Sequence, residues 1–596
     1  MSTDQKSKGK KLSIVWTVLR STFGKLKYYY IILGISAVIL MLLELLPPML
    51  LKNIVDVNLK SGDVYGTWIT AVFYLLASLG SSTFSFIQTY NTTYIGQNIL
   101  IELRLLMANH LKKLPMSYYS KTPVGEIMSR MTSDVESVNT LFSSGLINAI
   151  TDLMKVFGIV AAMYFISPIL CLIALGAAPV IFATANYFRK NMFKAQVGIR
   201  KVVGGVNTYL QELFNGIRIV KSYGKEEEYK SRFQPHLNEY LNVNNHAAVY
   251  DAYFPCVLQV IRAFAIAVIL WMGAKTGNSD HLAVSIGGLA AFIDLAARLF
   301  NPIEALSMQF QTIQQAMAGL NRIEEFLSEE QEEKGAVQHL SDDIALNIES
   351  IRVDIKNVSF GYSKDKTILK DVSLTIESGK KVAIVGRTGA GKTSLMNLVA
   401  GLYSCWSGEI SISGIDPFRL SPTDRRKLIG VVPQNTNLFE GSLKDNITLR
   451  DDKISLESVE KAARLVGLDD YIQGLPDKYN TVLGVAGIKL SFGQNQLLSL
   501  ARAVVTDPPL LLLDEPTSGL DAMTEEMIFK AFRAIGAKRT IITISHRLSG
   551  IIDADEVYIM ASGKIVQSGP PEKLAGEKGW YNVFTQLEGL GWQYDA

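Results

Sequence analysis

The chain has 596 residues, more than one compact domain holds, with 48% hydrophobic residues and a mean hydropathy of +0.19. Its formal net charge of +3 is small, and no basic cluster is interleaved with aromatics, which argues against nucleic acid as a partner. Cys171, Cys256 and Cys405 lie far apart with no CxxC pairing, which argues against a disulfide framework or a zinc site and leaves buried apolar packing as their expected role.

At the start of the chain Lys6, Lys8, Lys10 and Lys11 precede an amphipathic stretch, Ile14 to Leu26, without the short apolar core and cleavage site of a secretory signal. Residues 1–29 are therefore expected to stay cytosolic as a tail and interfacial elbow. Six apolar stretches follow, each near the ~20 residues that cross ~30 Å of hydrocarbon. They run from Tyr30 to Leu51, Trp68 to Thr89, Leu146 to Ile166, Ile169 to Tyr187, Tyr253 to Gly273 and Val284 to Leu306. Residues 30–327 thus read as an all-α transmembrane domain of six helices.

Lysines and arginines concentrate in the N-terminus and in the two long loops, around Arg104 to Arg130 and Arg189 to Arg232, which places these segments and both chain ends in the cytosol. The long loops are periodic enough to form helices, and ~25 residues beyond the bilayer reach ~35 Å at 1.5 Å per residue. Pro47 and Pro48 in the first span predict a kink or a loosened turn. Glu44, Asp152, Lys155, Arg262, Asp294 and Arg298 fall inside spans, where a charge needs a partner or a watery cavity. Asp294 and Arg298 are one helical turn apart, so a local ion pair and the lining of a substrate path are both open readings.

Residues 328–350 form an acidic, polar linker, and residues 351–596 alternate short apolar runs with glycine-rich turns, as a soluble α/β domain does. Within it the strand-like run Lys381 to Val385 leads into Gly386-Arg387-Thr388-Gly389-Ala390-Gly391-Lys392-Thr393-Ser394 and then a helical pattern. This is a P-loop: glycines let the backbone wrap phosphate, Lys392 reaches the β and γ phosphates, and Thr393 suits a magnesium ligand. ATP with Mg²⁺ is the expected cofactor. A second buried strand, Leu510 to Leu513, delivers Asp514 and Glu515 at its C-terminal end, where open α/β sheets bind ligands. Asp514 suits the metal shell and Glu515 suits polarising an attacking water.

Between them, Leu490-Ser491-Phe492-Gly493-Gln494 stands directly before a helical stretch from Asn495 to Val505. With this sequence the second half resembles the nucleotide-binding domain of ATP-binding cassette transporters, and the whole chain resembles a half-transporter of the exporter type. The resemblance implies that Tyr362 stacks on adenine, that Gln434 senses magnesium and the membrane domain, and that Asp521 belongs to a loop contacting the partner. It also implies that His546 lies near the γ-phosphate, that Glu515 and Lys392 are catalytic, and that Ser491, Gly493 and Gln494 face ATP held by the opposite subunit. Pro123-Val-Gly125 through Arg130 and Asp134, and Gly216 through Gly224, resemble the intracellular loops that couple the membrane helices to the ATPase domains.

The family signature reads Leu-Ser-Gly-Gly-Gln, whereas this chain carries Phe492 at the first glycine, and Val485 stands where an acidic residue is common. The P-loop, Glu515 and His546 are intact. That pattern resembles the subunit of heterodimeric exporters that supplies the catalytic carboxylate, paired with a half having a regular signature and a weakened carboxylate. The resemblance implies ATP-driven export of amphipathic drugs, lipids or peptides by alternating access. A bacterial inner membrane is the expected location, and an ATP-gated channel or regulatory protein is the alternative.

Overall fold

The structure is a computed structural model that describes residues 3–276, 285–332, 351–484, 487–516, 522–536, 539–545 and 554–583. It divides into two compact units, one of Met1–Lys113 with Thr122–Glu330, the other of Leu114–Lys121 with Gln331–Ala596.

The first unit is helical. Its long helices are α1 (Thr3–Asn53), α2 (Val64–Leu111), and, after the short helix α3 (Met116–Lys121) of the second unit, α4 (Ile147–Ile166), α5 (Pro168–Asn215), α6 (Glu226–Thr276) and α7 (Ile286–Ser328). Polar side chains mark several starts, as expected for orphan N-terminal amides. Asp63 accepts from the Gly66 amide at 2.9 Å before α2, and Ser285 accepts from the Gly288 amide at 3.0 Å before α7. Ser167 caps α5, with Pro168 at the first helical position, where a missing N–H costs nothing. Between Val124 and Leu146 the chain alternates α-turns with π-turns at Arg130–Asp134 and Leu141–Leu146.

Six helices are long and apolar enough to cross a membrane, in agreement with the six expected spans. Only 17% of the first apolar window and 11% of the second are buried within the chain, so their apolar surface faces outward as lipid-bathed helices require. Helix α1 packs along α2, and α5 along α6. A core of Met163, Leu170, Ile269, Phe292 and Leu295 joins α4, α5, α6 and α7.

Helix α1 runs on through Pro47 and Pro48, with its non-helical residue at Leu26, and a loosened turn, the π-turn Ile54–Asn58, follows the prolines. One expectation needs correction. Of the cysteines, Cys171 is buried and Cys405 half-buried, but Cys256 is exposed on α6, where an apolar surround tolerates a thiol as a small hydrophobe. The ionisable residues of the spans do find partners: Glu44 pairs with Lys155 at 2.9 Å, Asp294 with Arg298 at 3.1 Å, Asp152 accepts from Gln309 at 2.8 Å, and Arg262 donates to Asn301 at 3.0 Å.

The second unit carries eleven strands among the described residues: β1 (Val353–Phe360), β2 (Leu369–Ile376), β3 (Lys381–Gly386), β4 (Ser407–Ile412), β5 (Ile429–Val432), β6 (Gly441–Ser442), β7 (Val482–Leu483), β8 (Leu510–Asp514), β9 (Thr540–Ser545), β10 (Glu556–Ala561) and β11 (Lys564–Gly569). An antiparallel sheet of order β2-β1-β4 faces a six-stranded sheet of order β11-β10-β3-β9-β8-β5, parallel apart from β11. Strand β8 is buried along its whole length, which is why it reads as four consecutive leucines rather than an alternation. In this unit Leu114 and Tyr118 around α3 are buried, and the Ser120 hydroxyl hydrogen-bonds Tyr403. Two further helices matter for the site, α8 (Lys392–Val399) and α9 (Phe492–Val504). Helix α9 starts three residues earlier than the apolar periodicity suggests, so Phe492, Gly493 and Gln494 form its first turn.

Candidate nucleotide site

Strand register gathers the site. Val385 of β3 lies beside Ser545 of β9, and Ile544 of β9 lies beside Asp514 of β8, so the carboxyl ends of three parallel strands form one edge. This is the edge at which doubly wound sheets bind ligands. The P-loop leaves β3 there and re-enters structure at α8.

Its glycines are required by geometry. Gly391 has φ +103°, and a Cβ there would stand 2.7 Å from Leu369 Cδ2, while Gly386, at φ +156°, would drive a Cβ into the Met560 carbonyl. A Cβ at Gly386 would displace strand backbone, and both positions hold a positive φ that side chains rarely adopt. Between them Arg387 lies over the Trp580 ring, with its guanidinium 5.9 Å from the ring centroid. Val385 to Ala390, Met560 and Trp580 border a cavity of about 300 Å³.

Lys392 is buried, and its ammonium donates to the carbonyls of Gly386 at 2.8 Å and Arg387 at 3.1 Å. Burial pushes its pKa down, while the charges of Glu515 and Asp514 at the end of β8 pull it back up. Asp514 is itself buried, and burial with the Glu515 charge beside it raises its pKa to about 6 against the opposing Thr393 hydrogen bond and Lys392 charge. Among the described residues its Oδ1 is buried without a hydrogen-bond partner. An orphan carboxylate oxygen beside a threonine hydroxyl is a donor set that fits a hard divalent cation.

Glu515 follows in a left-handed conformation, φ +47°, a strained geometry for a non-glycine residue that costs on the order of 1 kcal/mol. Its amide donates to the Ile544 carbonyl at 3.1 Å, and its Oε2 accepts from Gln434 Nε2 at 2.7 Å. The loop carrying Gln434 is thus brought to the end of β8. Tyr362 sits in an aromatic cluster, edge-on to Phe360 at 5.1 Å and Tyr403 at 5.2 Å, and its hydroxyl accepts from Asn397 at 3.2 Å. Asp521 and His546 lie outside the described residues, as does Val485.

The signature residues form a cap. Ser491 Oγ accepts from the Gln494 amide at 3.2 Å and the Gln494 side chain accepts from the Ser491 amide at 2.8 Å, a reciprocal capping box that fixes the start of α9. Gly493 is packed so that a Cβ would strike the Thr524 methyl, whereas Phe492 is 52% exposed.

Gln496 escaped the sequence reading. It is 3% exposed on α9 and donates to the Gln434 carbonyl at 3.3 Å, while its Oε1 accepts from Thr436 at 3.3 Å. Arg502, two turns on, donates to the carbonyls of Asn446 at 2.8 Å and Asn437 at 3.2 Å. Helix α9 is therefore tied to the loop that carries Gln434. The available signal was a glutamine beside the apolar run of Leu497, Leu498 and Leu500, where a buried amide needs a partner.

A P-loop cradle, a buried lysine and a paired carboxylate edge on one unit, and six membrane-length helices on the other, define an ATPase coupled to a multi-pass membrane transporter. Residues 30–303 match the family described as ABC transporter transmembrane region, and residues 369–518 match the family described as ABC transporter. The chain is 31% identical over 571 residues to the uncharacterized ABC transporter ATP-binding protein YfiC of Bacillus subtilis, covering 95% of this chain and 92% of that protein. It is also 31% identical to an ATP-dependent lipid A-core flippase of Syntrophus aciditrophicus, over 85% of this chain and 83% of the relative. The fold is that of a bacterial Atm1-family ABC exporter solved with ATP bound, with a TM-score of 0.77, 24% identity, and coverage of 94% of this chain and 98% of that one. The chain belongs to the ABC transporter family.

The raised pKa of Asp514 carries a signed consequence. A divalent cation bound at Asp514 would have to displace the proton that the carboxyl holds below about pH 6, so metal-dependent ATP affinity is expected to fall as pH drops through 6. Fluorescent-nucleotide titrations from pH 5 to 8 check this, with EDTA-treated samples expected to show a much flatter profile.

Proposed function

We propose that this chain is one half of an ATP-driven exporter that moves amphipathic substrates by alternating access, as part of a heterodimer with one degenerate ATP site. In this reading residues 1–29 are the elbow, 30–327 the transmembrane domain, 328–350 the linker and 351–596 the ATPase domain. Both termini and the ATPase domain face the cytosol across a bacterial plasma membrane. Relatives described as a probable multidrug resistance transporter of Bacillus subtilis and as a lipid A-core flippase favour drugs or lipids among the substrate classes.

Gly386 to Ser394 hold the phosphates, Tyr362 meets adenine, and Lys392 neutralises charge that develops on the transferred phosphoryl group. Thr393, Asp514 and Gln434 would hold Mg²⁺, which would supply positive charge against the phosphates. Glu515, oriented by Gln434, draws the proton of the attacking water, with His546 beside the γ-phosphate. Ser491, Gly493 and Gln494 present the start of α9 to ATP held by the partner, where helix-end amides favour negative charge. Asp521 lies in the loop contacting that partner, a second half-transporter with a regular signature and a weakened carboxylate.

The observation that carries the heterodimer is Phe492, a half-exposed benzyl group in the first turn of α9. A homodimer would bear it in both clasps, a heterodimer in one. The chain purified alone should show little ATPase activity, and Phe492→Gly should raise it by about tenfold or more, roughly 1.4 kcal/mol in barrier. Robust turnover by the unmodified chain alone, unchanged by Phe492→Gly, would sink the heterodimer.

A further inference from the structure

The first unit contains a cavity of about 260 Å³ within its membrane-length helices, bordered by Glu44 and Met41 of α1, Asp152 and Lys155 of α4, and Arg298 and Asn301 of α7. Charged side chains are costly at this depth and persist where they are paired or face water or ligand. Two of the acids are matched: Glu44 by Lys155 at 2.9 Å and Asp294 by Arg298 at 3.1 Å. The two cations that border the cavity are thereby committed. Asp152 has no cation within ion-pair distance among the described residues, and its Oδ2 accepts only from the neutral Gln309 amide at 2.8 Å.

With the Gln309 Nε2 given to Asp152, its Oε1 is buried behind the cavity and lacks a hydrogen-bond partner among the described residues. A cavity-lining carboxylate bonded only to a neutral amide calls for a group that is cationic and carries N–H donors. A protonated amine supplies both. An anion would meet the Asp152 charge, and a neutral amphiphile would leave it uncompensated.

We propose that this cavity binds the ammonium group of an amphiphilic amine on Asp152, which Gln309 orients through its amide. This rests on the exporter reading and narrows its substrate class to organic amines. Quaternary ammonium ions, which lack N–H, bind more weakly than primary amines of the same tail. Lys155 and Arg298 exclude a second cation by holding Glu44 and Asp294.

The test is equilibrium binding to the full chain in lipid nanodiscs, with three fluorescent probes that share a dansyl-alkyl tail and end in a primary ammonium, a trimethylammonium or a neutral acetamide. The primary ammonium should bind about tenfold or more tighter than the acetamide, as a buried charge-assisted hydrogen bond requires. Asp152→Asn should erase that preference and leave acetamide affinity unchanged, and Asp152→Glu should restore it. Lys155→Met, which releases Glu44, should strengthen ammonium binding. A preference that survives Asp152→Asn, or an equal loss of all three probes in that variant, overturns the proposal. MgATP binding is measured on the same discs: intact nucleotide binding without an amine preference defeats this inference alone, whereas absent nucleotide binding defeats the exporter reading.

Discussion

Glu515→Gln lowers ATP turnover by about 10²- to 10³-fold and leaves MgATP affinity within a few-fold of the unmodified protein. The substitution preserves shape, since a glutamine oxygen still accepts from Gln434 Nε2, now 2.7 Å from the carboxylate. It preserves the strained backbone equally, because both residues meet the same left-handed φ. What disappears is the negative charge that takes a proton from water, a contribution to the barrier and not to ground-state binding. Steady-state phosphate release beside nucleotide titration separates the two. Unchanged turnover would remove Glu515 from the reaction.

Lys392→Met weakens MgATP binding by about 10- to 100-fold, the loss expected when hydrogen bonds from a charged group at a desolvated site are removed. Methionine is the informative replacement because Lys392 is buried at the start of α8, and its stem fills space that alanine would leave empty. The ammonium also feels the charges of Glu515 and Asp514, so its loss leaves these carboxylates less compensated. The variant should accordingly require more divalent cation for half-maximal binding. Wild-type affinity in a folded Lys392→Met protein would show that phosphate is held elsewhere.

The parts of the site written in local chemistry were legible from sequence. A phosphate cradle needs glycines at set intervals, and Gly386 and Gly391 hold a positive φ that side chains rarely adopt. The β8 edge was legible because a strand buried on both faces must be continuously apolar, which isolates Asp514 and Glu515 at its end. The six spans were legible for the same reason, since lipid demands an unbroken apolar length.

What escaped the reading depends on tertiary contact. Gln496 is an ordinary helix residue until the Gln434 loop lies against it, and Trp580 is an ordinary aromatic until Arg387 stacks over it. The start of α9 was set too late because apolar periodicity was followed past a Ser-x-x-Gln box that marks the helix origin directly. Leu114–Lys121 belongs with the ATPase unit although both neighbouring segments belong with the membrane helices, a grouping no composition change announces. Pairings such as Glu44 with Lys155 join residues far apart in the chain, so the charges were visible and their partners were not.

Inside-out membrane vesicles containing this chain with its partner half decide between a pump and a gated pore. On adding MgATP, the dansyl-alkyl amine should accumulate in the lumen above its outside concentration, and Glu515→Gln should abolish the gradient. Uptake that halts at equal concentrations, or that continues undiminished in Glu515→Gln, would contradict transport driven by hydrolysis.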